Sequence, residues 1–242
     1  MPDVQGSSFL STDRRGFMKL TGTAGLGFAL TQVGTLSALA QSNETVADII
    51  NIAATAEALA VSLTGAVIAG AAKYDGGKGL PASLVTWVKG IQAEEQAHYA
   101  YLTSAGAKAL TLTFTVPQNL ASITNDSKAL LNFVVAAETI FIGAYIAAAQ
   151  EFAQLGQPAL SKVALQVAGV EAEHRVLASY GLGASPPNNI GFEKALYANV
   201  GAAAAAVKGL GLLGTANPAA TLNYSDFAGS VSNAGVSNLT PS

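Results

Sequence analysis

The chain has 242 residues, of which 50% are hydrophobic and 11% charged, with a formal net charge of −3 and a mean hydropathy of +0.39. Typical soluble domains carry roughly 25% charged residues, so small neutral residues must cover much of the surface, and the length suits one domain plus accessory segments. The negative balance, with no Lys/Arg cluster beyond the N-terminal segment, argues against nucleic acid as a partner. The absence of cysteine excludes disulfides, thiolate nucleophiles, iron–sulfur clusters and Cys-ligated zinc.

Residues 1–40 read as an address. Ser11 to Lys19 carries paired Arg14 and Arg15, the apolar Phe17 and then Lys19, the pattern of a twin-arginine export signal. A mildly apolar stretch from Leu20 to Leu36 follows, and Ala38-Leu39-Ala40 supplies a small-x-small cleavage site. An ordinary amphipathic N-terminal helix would not need these three features in this order. The expected partner is the twin-arginine export machinery, which carries folded cargo, and the expected location is the bacterial periplasm or beyond. The mature chain is expected to begin near Gln41.

Four long helical patterns make up the expected domain, residues 41–182. The first runs from about Asn43 to Ala72 and stops at Gly76-Gly77-Lys78-Gly79; the second opens at Pro81 and runs to about Ala105. Between Gly106 and Asp126 the texture changes, and Leu110 to Val116 alternates as an extended strand would before Pro117. Asn125, Asp126 or Ser127 then caps a third helix that reaches Leu155, and the fourth runs from Pro158 to about Tyr180. Short turns after helices one and three imply two antiparallel hairpins. The connection of about 20 residues between them is long enough to run the length of a bundle. Residues 183–242 are expected to form an Ala-rich helix from about Ile190 to Leu213, then a polar tail whose last 25 or so residues are mobile.

Glu57 stands among Ala53, Ala54, Ala60 and Val61 with no basic residue within a turn, and Glu138 stands likewise among Val134, Val135, Phe141 and Ile142. An isolated ionised carboxylate in such a setting must be neutralised, paired or bound to a cation. Alone, either reads equally well as a Glu at a solvated helix edge. Helices two and four decide between these readings. Glu95-Gln96-Ala97-His98 and Glu171-Ala172-Glu173-His174 are both Glu-x-x-His, which stacks carboxylate and imidazole on one helical face, and they hold both histidines of the chain. Leu84, Val88, Ile91, Glu95, His98 and Leu102 follow a 4-3-4-3-4 rhythm, and Leu160, Ala164, Val167, Glu171, His174 and Ala178 repeat it. The six polar residues therefore fall on core seams, where they cannot stay unpaired. The interval from Glu57 to Glu95 is 38 residues and that from Glu138 to Glu171 is 33, as in a duplicated helix pair. The set Glu57, Glu95, His98, Glu138, Glu171 and His174 suits a dinuclear metal site, with carboxylates able to bridge two cations and each His capping one. Tyr145, on the face of Glu138, and Tyr101, one turn past His98, are secondary candidates that read more simply as core. Glu94 and Glu173 fall off the seams as solvent-facing or supporting residues, with Glu173 able to orient a His.

Ala93 to His98, Ala137-Glu138 with Gly143-Ala144-Tyr145, and Val170 to His174 carry a resemblance. From Asn43 to Tyr180 the sequence resembles the ferritin-like superfamily, in particular exported ferritin-like domain proteins related to plant desiccation-related proteins. The resemblance implies an all-α four-helix bundle and, residue by residue, the six ligands named above. It leaves the segment past Tyr180 unassigned.

The function expected from these readings is an exported metal protein with two iron ions, oxidising Fe(II) or reducing peroxide, with O2 or peroxide as co-reactant. The lack of cysteine removes a built-in rubredoxin-type donor, so electrons come from an external donor or from the iron itself. A di-manganese centre acting on peroxide uses nearly the same ligands. A stress-associated structural protein with a structural or vestigial metal site is the non-enzymatic alternative. Ile52 to Ala72 and Leu130 to Ala149 are also near membrane-spanning length, each with one central acid, whereas helices two and four are too polar to span. Whether the chain forms a homo-oligomer is left open by its sequence.

Overall fold

The computed structural model describes residues 44–242. The twin-arginine pattern and the Ala38–Ala40 cleavage site lie outside the described residues.

Helix α1, Val46–Gly70, starts on a capping box: Thr45 Oγ1 accepts from the Asp48 N–H at 3.2 Å, and the Asp48 carboxylate accepts from the Thr45 N–H at 2.9 Å. The chain then reverses through Tyr74–Gly77, where Asp75, Gly76 and Gly77 take φ of 53°, 71° and 89°. Gly reaches such angles without steric cost. Asp75 is held there from outside the turn: its N–H donates to the Asn125 carbonyl at 2.8 Å, and its carboxylate accepts from the Ser127 N–H at 2.9 Å. The first hairpin turn is thereby tied to the start of the second hairpin.

Helix α2, Ala82–Ser104, begins one residue later than the sequence suggests, with Pro81 as its N-cap rather than its first helical residue. Helix α3 spans Ser127–Gln154, and among the three candidate caps it is Asp126 that accepts from the Ala129 N–H, at 2.6 Å. Helix α4 spans Pro158–Gly181. Helices α1 and α2 pack chiefly on each other, as do α3 and α4. Along the first pair Asn51 meets Lys108, Glu57 meets His98 and Val61 meets Gln92, so one number falls as the other rises. Ser161 with Ala149 and Gly181 with Leu131 show the same for the second pair. Both hairpins are antiparallel, and a long connection joins them. The fold is the expected all-α four-helix bundle.

Two of its apolar clusters mark the ends. One gathers Ile49, Ile50, Ala54, Leu102, Phe152 and Val163 towards one end, and the other gathers Val67, Tyr74, Leu84, Val88, Leu130 and Leu131 towards the opposite end. The six residues singled out above lie between these clusters along every helix. The segments Val46–Gly77 and Ser127–Gln154 are long and apolar enough to cross a membrane by length and composition, and 61% and 50% of their apolar windows are buried within the bundle.

Two expectations beyond the bundle need correction. The Ala-rich helix α5 spans only Val200–Gly209, because the residues before it are engaged elsewhere. Arg175 grips Glu193 through both guanidinium nitrogens, and Leu196 and Tyr197 press on Gly143, where an added Cβ would come within 3.1 Å of each. The tail is also not featureless. Strand β1, Thr113–Val116, lies in the alternating segment, and its partner is β2, Ala220–Asn223, paired antiparallel with Phe114 opposite Leu222. The single turn α6, Ser225–Ala228, follows and packs on α1, with the Phe227 ring against Gly65. Tyr224 donates to Gln96 Oε1 at 2.8 Å.

Candidate metal centre

All six residues converge. Their inward-facing atoms form two overlapping groups, Glu57 with Glu95, His98 and Glu171, and Glu95 with Glu138, Glu171 and His174. Within each group the ligand atoms lie within 4.8 Å of one another. Glu95 and Glu171 belong to both groups. Each half therefore combines the Glu and the Glu-x-x-His of one hairpin with the shared Glu of the other.

Both imidazoles present Nδ1 to the interior. His98 Nδ1 lies 3.4 Å from Glu57, 3.6 Å from Glu95 and 3.8 Å from Glu171. His174 Nδ1 lies 3.0 Å from Glu171, 3.3 Å from Glu95 and 3.6 Å from Glu138. The outer nitrogen of His174, Nε2, meets Glu94 at 2.8 Å. A carboxylate in that position fixes ring orientation and tautomer, leaving Nδ1 as the electron-pair donor. Glu94 thus supports the site from off the seam, and Glu173, which the sequence offered for orienting a His, is exposed. Replacing Glu94 by Gln is expected to weaken ion binding in the His174 half by about 10–100-fold. Competition titration against a chelator measures this, and unchanged affinity in both halves would remove Glu94 from the account.

Burial sets the electrostatics. It pushes Glu57 up to about 8, with the Glu95 charge adding to it. Burial raises Glu171 well above the usual carboxylate range, with the charges of Glu95 and Glu138 adding, and it raises Glu138 as well. For Glu95 burial also acts upward, but the neighbouring His174 and His98 imidazoles more than offset it and hold the group low. Burial opposes charge on both imidazoles, yet the surrounding carboxylates hold His98 and His174 well above their ordinary value. Tyr145 is drawn into the cluster, donating its hydroxyl to Glu57, so its place on the Glu138 face was meaningful. Burial and the Glu57 charge raise the phenol.

The donor set fits a pair of cations. Glu57 Oε2, both Glu95 oxygens, His98 Nδ1, Glu138 Oε2 and Glu171 Oε1 are buried without a hydrogen-bond partner. Such atoms are costly unless something coordinates them. Four carboxylates bring four negative charges, which two divalent ions neutralise. Hard oxygen donors with imidazole suit iron or manganese.

Sequence reasoning missed a second acidic pair. Glu151, buried on α3, accepts from the Val200 N–H at 2.8 Å, and Glu44 accepts from the Gly201 N–H at 2.9 Å. Together with the Asn199 cap they hold the α5 N-terminus, where backbone N–H groups favour negative charge. The available signal was the one that exposed Glu138: an acid in an apolar helix with no basic residue within a turn, here 13 residues further along α3.

Searches of curated proteins and of solved structures each find no match to this chain. A family model for the ferritin-like domain matches residues 45–183, more than half of the chain. That span runs from the cap of α1 to just past the end of α4 and includes all six converging residues, so the chain belongs to the ferritin-like family.

Proposed function

We propose that this chain is an exported ferritin-like protein that holds a dinuclear metal centre, two iron ions, and oxidises Fe(II) or reduces peroxide there. The observation that carries this reading is the set of buried ligand atoms without a hydrogen-bond partner, in two overlapping groups with Glu95 and Glu171 in common. Glu57 and His98 would hold one ion, Glu138 and His174 the other, and Glu95 and Glu171 would bridge them. When bound, such a centre supplies two adjacent one-electron redox sites with positions open to O2 or peroxide.

The protein's own residues do the rest. The apolar clusters at both ends give the site low-dielectric walls, which strengthen the charge interactions between them. Glu94 keeps the His174 ring turned with Nδ1 inward. Tyr145 holds a proton against Glu57, next to the cluster. Electrons come from Fe(II) as substrate or from an external donor. The Arg14-Arg15 pattern supports export in folded form, with metal acquired beforehand, and the motif resemblance supports the desiccation-related branch of the family.

Glu138 belongs to one group only, which makes it the test of catalysis. Glu138→Ala is expected to lower the rate of Fe(II) oxidation or peroxide reduction at least tenfold. Equal rates in wild type and variant would leave a site that binds metal without catalysing, the structural alternative. Manganese in place of iron in protein recovered from its native export route would favour the peroxide-disproportionating version.

A further inference from the structure

Of the six ligand side chains, that of His98 is the most exposed. The side chains of Glu57, Glu95, Glu138, Glu171 and His174 are at most 7% exposed, whereas that of His98 is 13% exposed. His98 opens onto a cavity of about 510 Å³ between α2 and α4. This volume falls within the range of about 300–1,000 Å³ typical of small-molecule sites.

The cavity's chemistry is one-sided. Its walls are mostly apolar, with Leu102, Phe152, Val163 and Val167 prominent, and its floor carries His98 and Tyr145. The carboxylates that line it are Glu94 and Glu173; the His98 imidazole on the floor is offset by Glu57, Glu95 and Glu171 behind it, and among the described residues no Lys or Arg side chain lines the cavity. The segment Val236–Ser242 forms the roof, placing Leu239 and Pro241 over the walls. This segment has no helix or strand of its own. It is fastened at Ser242, whose main-chain oxygen accepts from Lys162 and whose hydroxyl meets Gln166 Nε2 at 3.2 Å.

We propose that this cavity binds a small organic molecule with an apolar body and no negative charge, roofed by Val236–Ser242 and presented to the metal centre at its His98 side. Apolar walls select the body by burial. The carboxylates disfavour anions and tolerate neutral or cationic groups. The role of that molecule as a substrate rests on the dinuclear reading of the site, but its binding does not, so the experiment uses metal-free protein.

Full-length metal-free protein is titrated calorimetrically with naphthalene, naphthylmethylamine and naphthoate, which share a ring system and differ in charge. The expected result is one molecule bound per chain for the neutral and cationic probes, with naphthoate at least tenfold weaker. Ala97→Trp fills the cavity from α2 and Val170→Trp fills it from α4. Each is expected to abolish binding, with helical circular dichroism and melting temperature reporting that the chain is folded. Deleting residues 236–242 is expected to weaken binding at least tenfold. No binding of any probe, preferred binding of naphthoate, or wild-type affinity in a folded cavity-filling variant would overturn the proposal. These outcomes are independent of metal content, so loss of the dinuclear reading would leave them standing, and the reverse.

Discussion

Glu171→Ala is expected to lose both ions, while Glu57→Ala keeps one. The difference follows from membership: Glu171 lies in both ligand groups, and Glu57 lies in one. Removing Glu171 leaves each half with one carboxylate fewer and separates the two halves electrostatically. Removing Glu57 leaves the Glu95, Glu138, Glu171 and His174 group whole. Glu95→Ala should behave like Glu171→Ala, and Glu138→Ala like Glu57→Ala. Elemental analysis of reconstituted variants reads this directly. Equal metal loss in all four would mean that the ions do not divide as the two groups imply.

The second large effect is an inversion of pH dependence on metal binding. In metal-free protein Glu57 has a folded value of about 8 against an ordinary 4.5. Its contribution is therefore fully present below about pH 4.5 and is lost as pH rises through 8. Glu138 and Glu171 are also raised, as is Glu44 near α5, and they act in the same direction. His98 and His174, raised above 6.5, lose their contributions as pH climbs through their folded values. Glu95 is lowered, so its contribution is constant across this window and fails only in strong acid. Stability of the metal-free protein should thus fall between pH 5 and pH 9 by several kcal/mol, or roughly 10 °C in Tm. Bound divalent ions reverse the sign, because they compete with protons for the same oxygens and nitrogens and bind more tightly as pH rises. Glu57→Gln should flatten the metal-free profile. Scanning calorimetry across this range with and without metal tests the inversion, and parallel profiles would contradict it.

Much of this was legible from the chain alone, because its signals were local. The two Glu-x-x-His seams, the lone acids in apolar helices and the short–long–short connections all depend on helical periodicity, and each lies where periodicity placed it. The pairing of β1 with Ala220–Asn223 was not legible, since four residues of mixed polarity carry little strand signal and their partner lies more than 100 residues away. The short α5 was missed for a related reason. Helix propensity over Ile190–Asn199 is overridden by the Arg175–Glu193 pair and by packing on Gly143, both long-range. Glu94 reads from the chain only as a solvent-facing or supporting residue, because the ring it orients is on another helix, 80 residues further on.

The central claim is that buried carboxylates and imidazoles which leave one another unsatisfied do so because two cations complete them. Neither half alone explains the arrangement: each ion would see a His, a terminal Glu and two shared Glu residues, and the second ion neutralises charge that the first leaves behind. The most direct test is the metal content of the full-length protein recovered from its native host, measured against protein concentration. Close to two metal ions per chain are expected, falling to near zero in Glu171→Ala; a folded wild-type protein with no bound metal would rule out the dinuclear site.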